Sequence, residues 1–178
     1  MPNFKVKDGG FVLDNARKYA EELKGLFLDI WYDEKYKYYF STNWHIEHEL
    51  PNDDWEKMCY VSLDKDGHVL GYISYMIDRN INSAHSFGAI NFSDNKAVFG
   101  MDLHKVIDDI FCKFNMERIE FYVVCGNPIE KSYDKMVTKY GGRIIGTRRK
   151  VAKLLDNQMY DDKIYEILRK DYIKQKGK

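Results

Sequence analysis

The chain has 178 residues, of which 44% are hydrophobic and 31% charged, and its 28 basic residues balance its 28 acidic ones. This length and composition are typical of one globular domain, and they exclude an intrinsically disordered chain. A formal net charge of zero argues against a partner held mainly by counter-ion release, such as bulk nucleic acid or an anionic membrane. We therefore expect a single domain over residues 1–178.

The cysteines are Cys59, Cys112 and Cys125, and none of them has a second cysteine at a metal-binding spacing. An odd number of isolated cysteines beside apolar residues is typical of buried thiols in a reducing compartment. The N-terminal sequence lacks the apolar run of a signal peptide, and no segment reaches the roughly 18 apolar residues of a membrane span. The sequence thus predicts a cytoplasmic protein.

The first predicted element is a helix that follows a cap at Asp14-Asn15. Apolar residues recur at helical spacing from Ala16 to Ile30, and the aromatic-rich stretch IWYDEKYKYYF is predicted to continue this helix. The next segment, STNWHIEHELPNDDW, is polar and contains a proline, so we expect a long loop there.

Three strands are predicted next, KMCYVSL, HVLGYISYMID and SAHSFGAINF, with a DKDG turn between the first two. After the turn residues SDNK, a second helix carries an apolar stripe, which comprises Leu103, Val106, Ile107, Ile110, Phe111 and Phe114. The segment RIEFYVV that follows is β-branched and aromatic, as expected of a strand buried on both faces.

The stretch CGNPIEKSYDKMVTKYGGRIIG predicts the end of that strand, a short helix and a new strand. Asn127 is a good helix cap, Pro128 suits the first helical position, and Glu130 completes a capping-box pattern. Gly141-Gly142 ends the helix. The remaining segments, RIIGTRRKVAKLL and MYDDKIYEILRKDY, are predicted to form a last hairpin before a basic tail.

This order of elements, with Gly-Asn closing a strand before a helix, resembles the GNAT family of N-acetyltransferases. The resemblance covers about residues 54–172, and its segments look like those of GNAT-type proteins from Firmicute and phage genomes: FGMDLHKVIDDIFCKFN, RIEFYVVCGNPIEKSYDK, YGGRIIG and LLDNQMYDDKIYEILRKDY. It implies an α/β fold with a mixed, mostly antiparallel central sheet of six to seven strands, a splayed parallel pair, and helices on both faces. The family's usual first strand has only a weak candidate, GGFVLD.

The resemblance implies that acetyl-CoA lies between the two splayed strands, here GAINF and RIEFYVV. The pantetheine would pair with free backbone groups of the first strand, and the pyrophosphate would bind backbone N–H groups where the next helix starts. The family's phosphate-loop motif falls on NKAVFG in a degenerate form, since Asn95 replaces a long polar side chain and Val98 replaces a glycine. The implied cofactor-binding residues are Ile90, Asn91, Asn95, Lys96, Val98, Phe99, Gly100, Asn127 and Ser132.

Two positions in the family's second motif match Asn127 and Tyr133. By resemblance, Asn127 contacts the cofactor and Tyr133 protonates the departing thiolate, while Ser132 is the alternative hydroxyl. The structural alternatives are a simple helix cap for Asn127 and core packing for Tyr133. A backbone N–H near Ile90 and Asn91 is expected to polarise the thioester carbonyl.

No residue stands out as the general base that takes a proton from the amine. The candidates are His45, Glu47, His48, Asp78 and His85. His45 and His48 also form a weak metal-ligand pattern, but no metal is expected. If the fold is GNAT-like, this loop and Trp44 are expected near the acceptor, together with the tyrosine-rich YKYYF.

The sequence therefore predicts a cytoplasmic enzyme that transfers an acetyl group from acetyl-CoA to a primary amine by direct attack, with Tyr133 as the catalytic residue. The alternative is a GNAT-fold module that has lost catalysis and serves in binding. Recognition of nucleic acid through RRKVAK and the lysine-rich tail is disfavoured, because the basic residues form no one-face stripe and the chain is neutral. The sequence does not identify the acceptor amine, and it leaves open whether the protein forms a homodimer.

Overall fold

The computed structural model describes residues 12–39, 50–94 and 96–177. In these ranges the strands are β1 (Val12–Asn15), β2 (Lys57–Leu63), β3 (Val69–Asp78), β4 (Ser83–Asn91), β5 (Arg118–Val124), β6 (Arg143–Lys153) and β7 (Met159–Leu168). The α-helices are α1 (Ala20–Ile30), α2 (Lys96–Asp108), α3 (Glu130–Lys139) and α4 (Arg169–Lys176). Short 3₁₀ turns cover Ala16–Tyr19 and Glu34–Tyr36, and a π-helical turn covers Asp109–Lys113 after α2.

The strands form one sheet in the order β1-β2-β3-β4-β5-β7-β6. Every neighbouring pair is antiparallel except β4 and β5, which are parallel. The predicted fold class is therefore confirmed, and β1 overlaps the weak candidate for a first strand, GGFVLD, at Val12–Asp14. None of the described helices has the length and apolar character needed to cross a membrane.

Two apolar cores cover the two faces of the sheet. The larger core packs α2, α3 and α4 against one face, and the smaller core packs α1 against the opposite face of β2, β3 and β4. Side-chain alternation along β3 illustrates the division, because Tyr72 faces α1 whereas Ile73 and Tyr75 face α2. We call these two faces the α1 face and the α2 face.

Two predicted element boundaries were wrong. The first helix ends at Ile30, and the aromatic stretch after it turns instead of continuing, because the Asp33 side chain accepts a hydrogen bond from the Lys35 N–H and starts a short 3₁₀ turn. The last hairpin ends at Leu168, and α4 follows. Tyr172 holds α4 in place, with its ring 4.8 Å from that of Phe111.

The prediction of buried thiols holds for Cys59 only. Cys125 is half-buried, and Cys112 is exposed on the outer side of the π-helical turn, where its thiol donates to Asp108. A cysteine flanked by apolar residues in sequence can still face solvent on a helix, because helix neighbours point in different directions.

A buried polar pair joins α2 to β2. The carboxyl group of Asp102 is almost completely buried and accepts a hydrogen bond from the Ser62 hydroxyl, which is also buried. Burial raises the pKa of Asp102 and the hydrogen bond from Ser62 opposes that shift, so the net pKa lies above its usual value. Ionisation of Asp102 therefore destabilises the folded state.

We expect the Asp102→Asn variant to unfold at a higher temperature than the wild type at neutral pH. Because the folded-state pKa is raised, the stability from this carboxyl is fully present below the unfolded pKa of about 3.8 and is lost as the pH rises through the folded pKa. The difference in unfolding temperature between Asp102→Asn and the wild type should therefore vanish in acid and appear as the pH rises. Thermal unfolding followed by circular dichroism across this range measures it.

Asp102→Ala is the matched control for the hydrogen bond. It removes the carboxyl as Asp102→Asn does but leaves the Ser62 hydroxyl buried without its partner, which should cost about 1–3 kcal/mol relative to Asp102→Asn at every pH. Parallel pH curves for Asp102→Asn and the wild type would show that the carboxyl is not destabilised by burial.

Candidate functional site

The central feature of the sheet is a gap between β4 and β5. These strands pair only at Ser83 with Arg118 and at Ala84 with Ile119, and they diverge beyond these positions. On their outer edges, β4 remains paired with β3 as far as Asn91 and β5 remains paired with β7 as far as Val124. The inner edges of both strands therefore carry main-chain donors and acceptors without a strand partner, as the resemblance predicted.

A bulge in β4 lies where the divergence begins. The register between β3 and β4 shifts between Ser74 and Met76, and Ser86 has a positive φ of 53°. Such an extra residue bends a strand and increases its twist. After the bulge, Phe87 packs on the α2 face, while Gly88 lies next to Ser74.

A small cavity of about 20 Å³ occupies the gap on the α2 face, and the empty space around it, including the solvent-open mouth, is about 320 Å³. Its walls come from β4, β5, α2 and α3. The lining residues are Phe87, Leu103, Ile107, Ile119, Phe121, Tyr122, Tyr133 and Met136. Most of these side chains are apolar, so the cavity suits a slender, largely apolar group whose polar atoms face the strand edges.

Tyr133 stands in the wall of this cavity. Its ring is edge-on to Phe121 at 5.4 Å and to Tyr165 at 6.4 Å, which fixes its orientation. Burial raises the pKa of Tyr133 to about 12, so the phenol is protonated at neutral pH and can donate a proton to a ligand. Ser132, the alternative hydroxyl, is exposed and does not line the cavity.

The turn between β5 and α3 is held by Asn127 and Glu130, the two side chains of the predicted cap. The Asn127 side chain accepts a hydrogen bond from the Ile129 N–H at 3.1 Å, and the Glu130 carboxylate accepts one from the Gly126 N–H at 3.2 Å. Glu130 also forms an ion pair with Lys163 of β7, which lowers its pKa. Both side chains therefore hold the turn as predicted, but α3 begins only at Glu130, so the prediction that Pro128 is its first residue was wrong. Contact of Asn127 with a cofactor stays a prediction.

The start of α2 is anchored by side chains that the resemblance assigned to cofactor binding. Val98 is buried, and the Phe99 ring covers Gly71 of β3 so closely that a Cβ at Gly71 would lie 2.5 Å from it. Lys96 and Gly100 are exposed, and the space around Gly100 is open. Asn95 lies outside the described residues.

The end of β4 contributes backbone rather than side chains to the gap. Ile90 is buried in the core on the α1 face. The Asn91 carbonyl accepts a hydrogen bond from the Tyr36 hydroxyl at 3.1 Å, and its side-chain oxygen accepts two from Ser93. Neither side chain lines the cavity, so a role in polarising a carbonyl would fall to their main-chain N–H groups.

Two consecutive tyrosines lie at the gap on the α1 face. Tyr39 reaches β4 on one side of the gap, and Tyr38 reaches the end of β5 on the other side. The Tyr39 hydroxyl lies 3.8 Å from the Cβ position of Gly88 in β4, and that of Tyr38 lies 3.2 Å from the Cβ position of Gly126 after β5. Burial raises the pKa of Tyr39, and Cys59 and then Tyr133 add to this shift.

His85 is the described base candidate nearest the gap. It is the first residue of β4 beyond the last pair with β5, and alternation from Ala84 places it on the α1 face. Its Nδ1 lies 3.0 Å from the Ser86 hydroxyl oxygen. Asp78 instead accepts hydrogen bonds in the turn between β3 and β4, opposite Ser83, where β4 and β5 are still paired.

The remaining candidates of the polar loop, His45, Glu47 and His48, lie outside the described residues, as does Trp44. Within the ranges that the structure describes, no three histidine, cysteine, aspartate or glutamate side chains come together as a metal site.

Comparison with solved structures places the chain among acetyltransferase folds. The spermidine N-acetyltransferase of Vibrio cholerae, determined in complex with CoA and spermine, matches with a TM-score of 0.74 and 18% identity over 92% of this chain and 98% of that one. The ribosomal-protein-S5-alanine acetyltransferase of Vibrio fischeri matches with a TM-score of 0.74 and 16% identity over 96% and 99%. At these identities the likeness establishes the fold. No protein-family model and no curated protein matches the sequence.

We expect Gly71→Ala to destabilise the protein by about 1–3 kcal/mol, the usual cost of overpacking a core. The new Cβ would lie 2.5 Å from the Phe99 ring and 2.8 Å from the Ile90 carbonyl oxygen, so the first turn of α2 must shift. Urea unfolding measures the free energy of unfolding.

Gly100→Ala is the control on the same helix. Nothing lies within 4 Å of its Cβ position, and alanine favours a helix over glycine by about 1 kcal/mol, so this variant should be more stable than the wild type. A Gly71→Ala variant as stable as the wild type would show that Phe99 does not cover Gly71.

Proposed function

We propose that this protein is an N-acetyltransferase that moves an acetyl group from acetyl-CoA to a primary amine. The observation that carries the proposal is the early separation of β4 and β5, which pair at two positions only. The fold shared with the two acetyltransferases above supports the same activity.

The gap fits the pantetheine arm of acetyl-CoA. Pantetheine is a narrow chain with two amide groups, and these can pair with the free edge of β4 in the manner of an added strand. The apolar walls suit its methylene groups. Bound there, acetyl-CoA would supply an activated thioester for direct attack.

The start of α2 fits the pyrophosphate in part. The backbone N–H groups of its first turn and the positive end of the helix dipole attract an anion, and Lys96 adds a positive charge at the same end. Asp94 opposes this, because its exposed carboxylate stands just before the helix. We assign contact with the pyrophosphate to Lys96 and to backbone groups around Gly100.

Three tasks remain for the protein, and side chains of the described residues suit two of them. Tyr133, protonated at neutral pH, donates its proton to the departing sulfur. His85, on the α1 face beside the gap, removes the proton from the attacking amine, whose own pKa is near 10. For the third task, a main-chain N–H on the inner edge of β4 stabilises the charge on the thioester oxygen.

Two measurements test this function. Isothermal titration should show that CoA binds, and a panel of amines incubated with acetyl-CoA should release free thiol.

We expect Tyr133→Phe to lower turnover about tenfold or more while CoA affinity stays unchanged, because only the proton donor is lost. An unchanged rate would remove Tyr133 from this role.

We expect His85→Gln to lower kcat/KM at neutral pH by about tenfold or more. The deficit should narrow as the pH approaches the amine's own pKa of about 10, because the acceptor then needs no base. Asp78→Asn is the control, since its amide oxygen can keep the turn hydrogen bonds and it lies opposite Ser83, where β4 and β5 are paired. A deficit that is constant with pH would argue that His85 acts in another way.

The second candidate function is a binding module without transferase activity. The buried Val98 and the acidic Asp94 favour it, because both depart from what a phosphate site needs. This alternative predicts no CoA binding in the titration.

A further inference from the structure

The helix that carries Tyr133 has little apolar anchoring of its own. α3 has 10 residues, all of which the structure describes, and Val137 is its one buried residue. Helices shorter than about 12 residues are marginal in water without tertiary contacts. Groups outside α3 must therefore fix its position, and with it the direction of the Tyr133 phenol.

Two side chains of β7 supply this anchoring. The Tyr165 hydroxyl donates a hydrogen bond to the Asp134 carboxylate at 2.7 Å, and the Lys163 Nζ lies 3.2 Å from each Asp134 oxygen. Lys163 also forms its ion pair with Glu130, one turn earlier on α3. We call Glu130, Asp134, Lys163 and Tyr165 the β7–α3 network. It ties the first part of α3, which includes Tyr133, to the sheet.

The central carboxylate of this network is ionised at neutral pH. The hydrogen bond from Tyr165 lowers the pKa of Asp134, burial opposes this shift, and the bonds from Lys163 lower the pKa further. The bonds that ionised Asp134 accepts are therefore charge-assisted. The Lys163 side chain is 17% exposed and Tyr165 is completely buried, so water competes little for these bonds.

The ring of Tyr165 also contacts Tyr133 directly. Tyr165 stacks on Phe121 at 4.9 Å with an interplanar angle of 22°, and the Tyr133 ring stands edge-on to both. Because Asp134 holds the Tyr165 hydroxyl, the Tyr165 ring cannot slide along Phe121 without breaking a buried hydrogen bond. Tyr165 thus constrains Tyr133 in two ways, through the rings and through the backbone of α3 at Asp134.

We propose that the β7–α3 network positions Tyr133 for proton transfer to the departing sulfur. The inference rests on the proposed function, which makes Tyr133 the proton donor. Asp134, Lys163 and Tyr165 do not line the cavity, so they act on the reaction through Tyr133 and not by touching a ligand. Displacement of a catalytic group by about 1 Å can lower a rate by about a hundredfold, so a small movement of α3 suffices.

The first test measures kcat in the thiol-release assay, with the amine of the panel that the wild type acetylates fastest, and the Kd of CoA by calorimetry. Tyr165→Phe removes only a hydroxyl, and Lys163→Met removes the ion pairs. We expect each variant to lower kcat by about threefold or more and to leave the Kd of CoA within twofold of its wild-type value. Lys163→Arg keeps the cation and should restore most of the lost kcat.

A double-variant cycle separates positioning of Tyr133 from any other effect of Tyr165 on the rate. If Tyr165 acts through Tyr133, adding Tyr165→Phe to Tyr133→Phe should change kcat by less than about twofold. If its effect reaches the reaction by another route, the two factors should multiply.

Tyr172→Phe is the matched control, because it also removes a buried tyrosine hydroxyl that donates to an aspartate, at 2.9 Å from Asp108. That bond joins α4 to α2, and Tyr172 has ring contacts with Phe111 and Tyr140. We expect Tyr172→Phe to lower the melting temperature about as much as Tyr165→Phe does and to leave kcat unchanged.

The second test needs no substrate. It uses the fluorine NMR signal of Tyr133 in protein labelled with fluorotyrosine, identified by its loss in Tyr133→Phe. We expect Lys163→Met and Tyr165→Phe to shift or broaden this signal, because the ring is no longer held in one orientation. Tyr172→Phe should leave the signal unchanged.

The outcomes separate this inference from the proposed function. If thiol is released, the positioning role requires that Tyr165→Phe and Lys163→Met change both kcat and the Tyr133 signal; if either quantity stays as in the wild type, or if the factors multiply in the cycle, the role is overturned and the transferase stands. If both variants change the signal but CoA does not bind and no thiol is released, the network still fixes Tyr133 and the transferase proposal fails. An unchanged signal without thiol release overturns both.

Discussion

The structure depends on a difference in strand pairing between the two edges of β4. On one side β4 follows β3 to its last residue, and on the other side it leaves β5 after Ala84. β5 is held in turn by β7 along all of its seven residues. Two half-sheets, β1–β4 and β5–β7, are thus joined along the β4–β5 edge by two residue pairs, and the helices must hold them together.

The core on the α2 face supplies that connection. It contains Ile73 and Ala84 from the first half-sheet and Phe121 and Ile167 from the second, packed together against α2 and α3. On the other side of α2, Tyr172 of α4 donates a hydrogen bond to Asp108 at 2.9 Å and ties the C-terminal end to the same helix. The gap can therefore stay open at one end without loosening the sheet, because dispersion and burial in this core replace the missing ladder of hydrogen bonds.

The sequence predicted the elements best where local signals agree. β2 and β5 have the predicted bounds, because their apolar, β-branched runs end at turn residues. The end of β7 was mispredicted, because the sequence EILRKDYI has an apolar spacing that a strand and a helix both satisfy. The stacking of Tyr172 on Phe111 decides for the helix, and that contact cannot be read from local sequence.

The residues of the candidate site were likewise predicted only in part. Asn127 and Tyr133 were assigned through the family resemblance, and the turn held by the Asn127 side chain leads into α3, which carries Tyr133. The tyrosine-rich stretch was predicted near the acceptor, but as part of a helix, and the pairing of Tyr38 with Tyr160 could not be foreseen. That pairing depends on a turn that reverses the chain after α1 and on the bend of the β6–β7 connection, two features set by tertiary structure.

The altered start of α2 has a consequence for how a donor would bind. A glycine at position 98 would let a pyrophosphate approach the backbone, whereas Val98 uses the same position to pack into the protein, and Phe99 locks the turn over Gly71. Side chains thus fix the direction of α2 before any ligand arrives, and the backbone N–H groups keep their dipole. Under the proposed function, the binding free energy of acetyl-CoA then comes more from the pantetheine in the gap than from the phosphates at the helix. Affinity for the donor should accordingly follow the width of the β4–β5 gap, which the bulge at Ser86 sets.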